Sequence, residues 1–257
     1  MSNHLHLDIA GGIARLRIDR AEKRNAFDQA MWARFPDLVR AAMAAPEVRM
    51  LIVESAAAGV FCAGADIGEF ARSTADKGWR TANQAAIRDS FVTLTRAPKP
   101  TLAVVDGDCI GGGCGIALAC DLRIASPRAR FGITPAKLGL IYPLHDTRLL
   151  VDVVGPAQAR RMLYTGVLLD AAEAMRIGLV QILADDLVAS VTDYAASILA
   201  ASPYSQRMTK AIVARIIEGE TDDNASSSAQ FDEAFRGDDF REGVAAFIAK
   251  RKPKFGA

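Results

Sequence analysis

Gly59-Val60-Phe61-Cys62-Ala63-Gly64-Ala65-Asp66-Ile67 and Asp108-Cys109-Ile110-Gly111-Gly112-Gly113-Cys114-Gly115 share one plan. Each follows an apolar strand-like run, residues 50–54 for the first and 101–105 for the second, and each leads into a segment with helical character. Small residues let a ligand come close to the backbone, and the N–H groups at a helix start have no intrahelical partner. Such groups bind anions. Two of them facing each other would form an oxyanion hole, at about 3 kcal/mol of transition-state stabilisation per donor. The competing use of Gly111-Gly112-Gly113 is a tight strand-to-helix turn with close packing.

Outward from these stretches, strand and helix alternate. Residues 5–9 and 13–18 alternate apolar and polar around Ala10-Gly11-Gly12, the pattern of a β-hairpin. Asn25 or Asp28 is placed to cap a helix over 29–44 that stops before Pro46. Asp66 occupies an N-cap position, and 75–96 reads as a helix ending before Pro98. A further helix over 112–120 leads into a strand over 122–126. This order predicts an α/β fold with mainly parallel strands. From Gly155 the pattern becomes helical, over 156–164, 170–177, 187–201, 205–218 and 238–250, with one strand over 179–183. Pro203 divides a core, 1–202, from a C-terminal helical region, 203–257. Residues 221–228 are polar and read as a mobile loop. No internal repeat is visible in the sequence.

The bulk properties exclude several classes. A chain of 257 residues, half of them hydrophobic, holds one large domain or a domain with an appendage. Its net charge of +1 argues against nucleic acid as the main partner. Cys62, Cys109, Cys114 and Cys120 form no CxxC pair, and His4, His6 and His145 are not at ligand spacing from them. No metal site is expected, and the cysteines read as small buried residues in a reducing compartment. The N-terminus lacks a basic-apolar-small signal pattern, and no apolar run reaches the ~20 residues that span a membrane. A cytoplasmic protein without membrane or nucleic-acid partners is the expectation.

Phe61-Cys62-Ala63-Gly64-Ala65-Asp66-Ile67 resembles the first signature of the crotonase superfamily, the enoyl-CoA hydratase/isomerase family. Gly107, Gly111-Gly112-Gly113-Cys114 and Cys120-Asp121 resemble its second. The likeness continues through Arg130-Phe131-Gly132, Gly155-Pro156-Ala157-Gln158-Ala159, Gly178-Leu179-Val180 and Glu242-Gly243-Val244-Ala245-Ala246-Phe247, in the expected order over nearly the whole chain. The resemblance implies a crotonase-like spiral of ββα units with a helical C-terminal region, assembled as a homo-trimer or hexamer. It implies an acyl-CoA substrate, with coenzyme A as part of that substrate and no permanently bound cofactor. The Ala65 and Gly112 N–H groups would hold the thioester oxygen. The Ala63 carbonyl would face the adenine. Lys23, Arg24 and Ala26 would fall in the CoA-facing loop, Asp66 and Ile67 at the end of the first signature, and Phe247 and Lys250 in the C-terminal pair that reaches a neighbouring subunit's CoA.

The chain departs from the family at the acid–base positions. Hydratases of the family use two glutamates to handle one water, and here Gly115 and Pro135 stand at those positions. Two-glutamate hydration and ordinary double-bond isomerisation are therefore not expected. The segment 131–142 resembles two other branches, methylmalonyl-CoA decarboxylases and dihydroxynaphthoyl-CoA synthases. Some of the latter recruit bicarbonate as base. Tyr142, His145 and Asp146 are the polar groups left near the reacting carbon, although Asp146 equally suits a helix N-cap before Thr147. Glu69 is a further polar candidate. The expectation is an enzyme that forms a thioester enolate and carries out decarboxylase-, isomerase- or lyase-like chemistry. The alternative is a catalytically silent CoA-thioester binding or accessory subunit.

Overall fold

The computed structural model describes residues 4–256. It opens with an antiparallel hairpin of β1 (Leu5–Ala10) and β2 (Ile13–Ile18), with Leu5 opposite Ile18 and Ala10 opposite Ile13. Gly11 and Gly12 turn the chain at φ 57° and 81°, a region that disfavours a Cβ. Helix α1 (Gln29–Ala44) is capped by Asp28, which accepts from the Met31 N–H at 2.8 Å. Asn25 does not cap it. Its side chain is buried at φ 57°, accepts from the Arg20 N–H, and donates to the Ser55 hydroxyl and the Phe61 carbonyl. Asparagine tolerates that left-handed conformation better than most residues.

Three strand pairs follow. They are β3 (Met50–Ser55) with β4 (Val60–Cys62), β5 (Thr101–Val105) with β6 (Asp108–Ile110), and β7 (Leu122–Ala125) with β8 (Arg130–Gly132). The first strand of each pair joins a six-stranded sheet of order β1-β2-β3-β5-β7-β10. The second joins a four-stranded sheet of order β4-β6-β8-β9. Here β9 is Leu169–Asp170 and β10 is Ile182–Leu183. Each pair is followed by helix: α2 (Ile67–Ser73) and α3 (Lys77–Thr95), then α4 (Gly112–Ala119), then α5 (Leu144–Thr165). The repeated ββα unit thus exists in space although no repeat is visible in the sequence.

The central strands are parallel and covered on both faces, which explains their nearly continuous apolar sequence. In β3, Leu51 and Val53 enter the main core with α1, while Met50 and Ile52 enter a second cluster with Val191 and Ala195 of α7 (Leu187–Ala200). Helices α6 (Ala171–Arg176), α8 (Pro203–Ile217), α9 (Ala225–Ala234) and α10 (Asp238–Ile248) complete the chain.

The helix expected over 75–96 is α3, whose N-cap Asp76 accepts from the Gly78 N–H. Three other boundaries differ from the sequence reading. The helix expected over 156–164 starts earlier, at Leu144, and Gly155 at φ 74° kinks it before Pro156. The strand over 179–183 shrinks to Ile182–Leu183, because the Leu179 and Val180 amides bond back to Ala174 O. The loop expected over 221–228 is half helix: the Asn224 side chain accepts from Ser226 and Ser227, and a capping box starts α9.

Candidate active site

The two opening stretches meet. A methyl group on Gly64 would lie 2.8 Å from the Ile110 carbonyl oxygen and 3.1 Å from the Gly112 nitrogen, so the absence of a Cβ at Gly64 permits the approach. Gly64 also sits at φ 96°. Phe27 forms a parallel bridge with Ala65: its N–H donates to the Gly64 carbonyl and its carbonyl accepts from the Asp66 N–H. In that pattern the N–H of Ala65 itself points away from Phe27. Gly112 opens α4, where an N–H has no intrahelical acceptor. Both residues line one cleft of about 390 Å³.

The Ala65 side is held by a clamp. Arg20 donates to the Ala26 carbonyl at 2.8 Å and pairs with Asp66 at 2.9 Å, both partners flanking the bridge, with the two side chains 13% and 12% exposed. Asp66 also accepts from the Gly68 and Glu69 N–H groups at the start of α2. Burial pushes the Asp66 carboxyl upward, but these amides and the guanidinium outweigh it, and the group ends below the usual carboxylate range. Glu69 accepts from the Gln29 N–H, tying α2 to the start of α1.

The rest of the cleft wall is mostly apolar, with Trp32, Phe70, Ile87, Phe91, Leu140 and Ile141 among its residues. Two polar groups at its edge are buried. Asp146 is 3% exposed and has His145 Nδ1 at 3.4 Å. Burial pushes its carboxyl above the usual range, partly offset by His145. The Tyr142 hydroxyl is buried with no partner, and burial followed by the nearby Asp146 charge pushes it well above its ordinary value. Asp146 is not a helix cap; Pro143 takes that position in α5. Burial pushes Cys62 and Cys120 up to about 12, and Cys109 well above the ordinary thiol.

The whole chain bears comparison with known proteins. The enoyl-CoA hydratase/isomerase model matches residues 8–257. The chain belongs to the enoyl-CoA hydratase/isomerase family. It is 33% identical over 247 residues to a crotonyl-CoA hydratase of Syntrophomonas wolfei, covering 95% of this chain and 94% of that one. It is 30% identical to the human mitochondrial methylglutaconyl-CoA hydratase, over 95% of this chain and 74% of the relative. A family member from Hyphomonas neptunium superposes with a TM-score of 0.94 at 38% identity, covering 98% and 97% of the two chains.

Gly115 and Pro135, where the resemblance implied glutamates, have distinct structural settings. Gly115 is buried, and a Cβ there would lie 2.4 Å from Cζ of Phe91, so the Phe91 ring fills the space a side chain would need. Pro135 lines the cleft. Ala63 and Ile67 line it as well. Arg24 is paired with Asp108, which also holds Arg130 at 2.7 Å, and the Ala26 carbonyl is taken by Arg20. Lys23 ends a short 3₁₀ turn, Ala21–Lys23. Phe247 is 86% exposed near the end of α10, and Lys250 follows it at φ 52°. Lys23, Arg24, Phe247 and Lys250 are not part of the cleft wall within one chain. Asp121 accepts from the Thr101 N–H and Lys210. Sequence reasoning missed Trp32, Phe70, Gln84, Ile87 and Phe91, which reach the cleft from α1, α2 and α3. Helical periodicity marks such residues as inward-facing but does not separate core from cleft.

Proposed function

We propose that this family member is an enzyme that binds an acyl-CoA and stabilises its thioester enolate between the Ala65 and Gly112 N–H groups. The observation that carries this is the close approach of two glycine-bearing segments, with Ala65 and Gly112 lining the same cleft. In the proposed step a base removes the α-proton or an α-substituent leaves. The electron pair of the broken bond becomes the C=C bond of the enolate, and the carbonyl π pair moves to the thioester oxygen. Two amides aimed there supply about 3 kcal/mol each. Asp146, its carboxyl pushed above the usual range by burial, is the candidate base, and the Tyr142 hydroxyl is a donor to the developing carbanion or a substituent oxygen.

Two-glutamate hydration is not proposed, because Gly115 and Pro135 offer no carboxylates and Phe91 fills the space over Gly115. The chemistry is instead decarboxylase-, isomerase- or lyase-like. No cofactor is bound permanently; coenzyme A enters with the substrate, and bicarbonate is a stand-in base of the right size. Lys23 and Arg24 are assigned to the CoA phosphates, and Phe247 and Lys250 to the CoA of an adjoining subunit in a trimer or hexamer. Residues 203–257 act as the trimerisation region. A cytoplasmic location fits a chain in which, among the described residues, no helix is long and apolar enough to cross a membrane.

Calorimetry with acetyl-CoA and CoA tests the binding half. Both are expected to bind while free acetate does not, and absence of binding at millimolar concentration overturns it. The second reading, a silent CoA-thioester binding subunit, is favoured by the ring filling the space over Gly115. Crotonyl-CoA is expected to be hydrated far below the usual enzyme range of roughly 1–1,000 per second.

A further inference from the structure

Asp146 stands between two spaces. It borders the cleft, and His145 beside it does not. The Asp146 side chain is 4% exposed and the His145 side chain 28%. Asp146 Oδ1 lies 3.4 Å from His145 Nδ1, the carboxyl's one side-chain hydrogen bond among the described residues. Four buried side-chain polar atoms have no partner among those residues: Trp32 Nε1, Arg49 Nε, Tyr142 Oη and Gln206 Oε1. Asp146 Oδ2 and His145 Nε2 make no hydrogen bond either, yet neither is one of the four, so each keeps some surface open. A continuous line of polar atoms thus runs from the cleft through the carboxyl and the imidazole to the outside.

A base in this position needs an outlet. A thioester in the cleft covers the cleft side of Asp146, and a proton taken from the α-carbon then sits on a buried acid. The Tyr142 hydroxyl, the other titratable group beside Asp146, is buried without a partner and leads nowhere. Beyond it lie the thiols of Cys109 and Cys114, both fully buried. An imidazole is suited to the task, because it takes a proton on one nitrogen and releases one from the other near neutral pH. His145 has one nitrogen on the carboxyl and the other open.

We propose that His145 relays the abstracted proton between Asp146 and solvent. This inference rests on the enolate function proposed above, with Asp146 as its base. The Asp146 carboxylate takes the α-proton, and the C–H electron pair becomes the C=C bond of the enolate. A half-turn of the carboxyl brings that proton to the ring side. It passes to the bare Nδ1 of a neutral His145 that carries its own hydrogen on Nε2. The imidazolium so formed loses the Nε2 proton to water, which restores the carboxylate and a neutral ring. The reverse sequence returns a solvent proton to the carbon. His145 does not touch the substrate and acts through Asp146. The abstracted proton is therefore lost to solvent and is not held for delivery to another carbon of the same acyl group.

The test follows solvent deuterium into the α-carbon of a thioester panel, acetyl-CoA, propionyl-CoA and butyryl-CoA, together with the dissociation constant of each. His145→Ala and His145→Asn are expected to bind the panel within about twofold of the native protein and to exchange about tenfold or more slowly. Asparagine keeps a donor beside Asp146 but cannot relay a proton. Millimolar imidazole should restore exchange in His145→Ala, where the space of the ring is open. Circular dichroism checks that each variant is folded, and if His145→Ala is not, His145→Asn alone decides. Exchange at the native rate in His145→Asn, or a loss in His145→Ala that imidazole does not repair, overturns the relay and leaves His145 orienting the carboxyl. A loss that appears only as weaker thioester binding overturns it as well. A native protein that binds the panel and exchanges none of it is a separate result, which removes the enolate function itself and this inference with it.

Discussion

At Asp146 a buried carboxyl is raised above its ordinary value, and both activity and stability should report it. The folded protein binds this proton more tightly than the unfolded chain, so stability is lost as pH rises above the unfolded carboxyl value of about 4. Asp146→Asn removes that loss. Its melting temperature should exceed that of the native protein at pH 7, and the difference should vanish below about pH 4. Turnover should fall in the same variant by about 10²–10⁴, the contribution of a general base. An Asn variant that is no more stable at pH 7 would remove the buried ionised carboxyl. Gly115 offers a second prediction. Placing a carboxylate there by Gly115→Glu should destabilise the protein by about 1–3 kcal/mol or more, because its Cβ meets the Phe91 ring. Adding Phe91→Ala should recover part of that loss, and thermal melting of the single and double variants reads it. The residue identities at 115 and 135 were legible in the sequence. The ring filling the space over Gly115 was not, because Phe91 arrives from a helix over twenty residues away in the chain.

Among the elements, the strand–helix alternation of the core was readable because each buried parallel strand is a short apolar run bounded by turn residues. The Gly111-Gly112-Gly113 stretch was readable as a helix start for the same reason. Boundaries set by distant contacts were not. Asn25 suited a cap by its type, yet it spends its amide on Ser55 and Phe61. The polar stretch 221–228 concealed a capping box, since a run of serines marks loops and helix starts alike. The clamp between Arg20, the Ala26 carbonyl and Asp66 was also hidden, because it joins three turns through one guanidinium. On the proposed function Arg20 is a positioning residue: it holds the segments on either side of Phe27 and Ala65. Arg20→Ala should cost about 1–3 kcal/mol by removing the cation from Asp66 and the donor from the Ala26 carbonyl. Arg20→Lys keeps the charge but loses the fork, so kcat should fall with little change in KM for the thioester. A proportional rise in KM with unchanged kcat would place Arg20 in ligand binding instead.

For the whole molecule, the spiral leaves its C-terminal helices with uncovered apolar side chains, Phe231, Phe235, Phe247 and Ile248 being 68%, 50%, 86% and 74% exposed. Burial of such surface between copies favours closed association. Light scattering at micromolar concentration should give a trimer or a pair of trimers, and Phe247→Asp with Ile248→Asp should shift the mass toward the monomer. A native monomer would contradict this. The assembly matters to chemistry if Phe247 and Lys250 complete a neighbour's CoA site, whereas the proposed thioester enolate would be held by the Ala65 and Gly112 amides of one chain. The most direct measurement is solvent deuterium exchange at the α-carbon of a bound acyl-CoA, followed by mass spectrometry. The account predicts enzyme-dependent gain of deuterium at that carbon, reduced about 10²–10⁴-fold in Asp146→Asn. Tight binding of the thioesters across the panel, with no exchange above the rate in buffer, would contradict it and leave a protein that binds the thioester without turning it into an enolate.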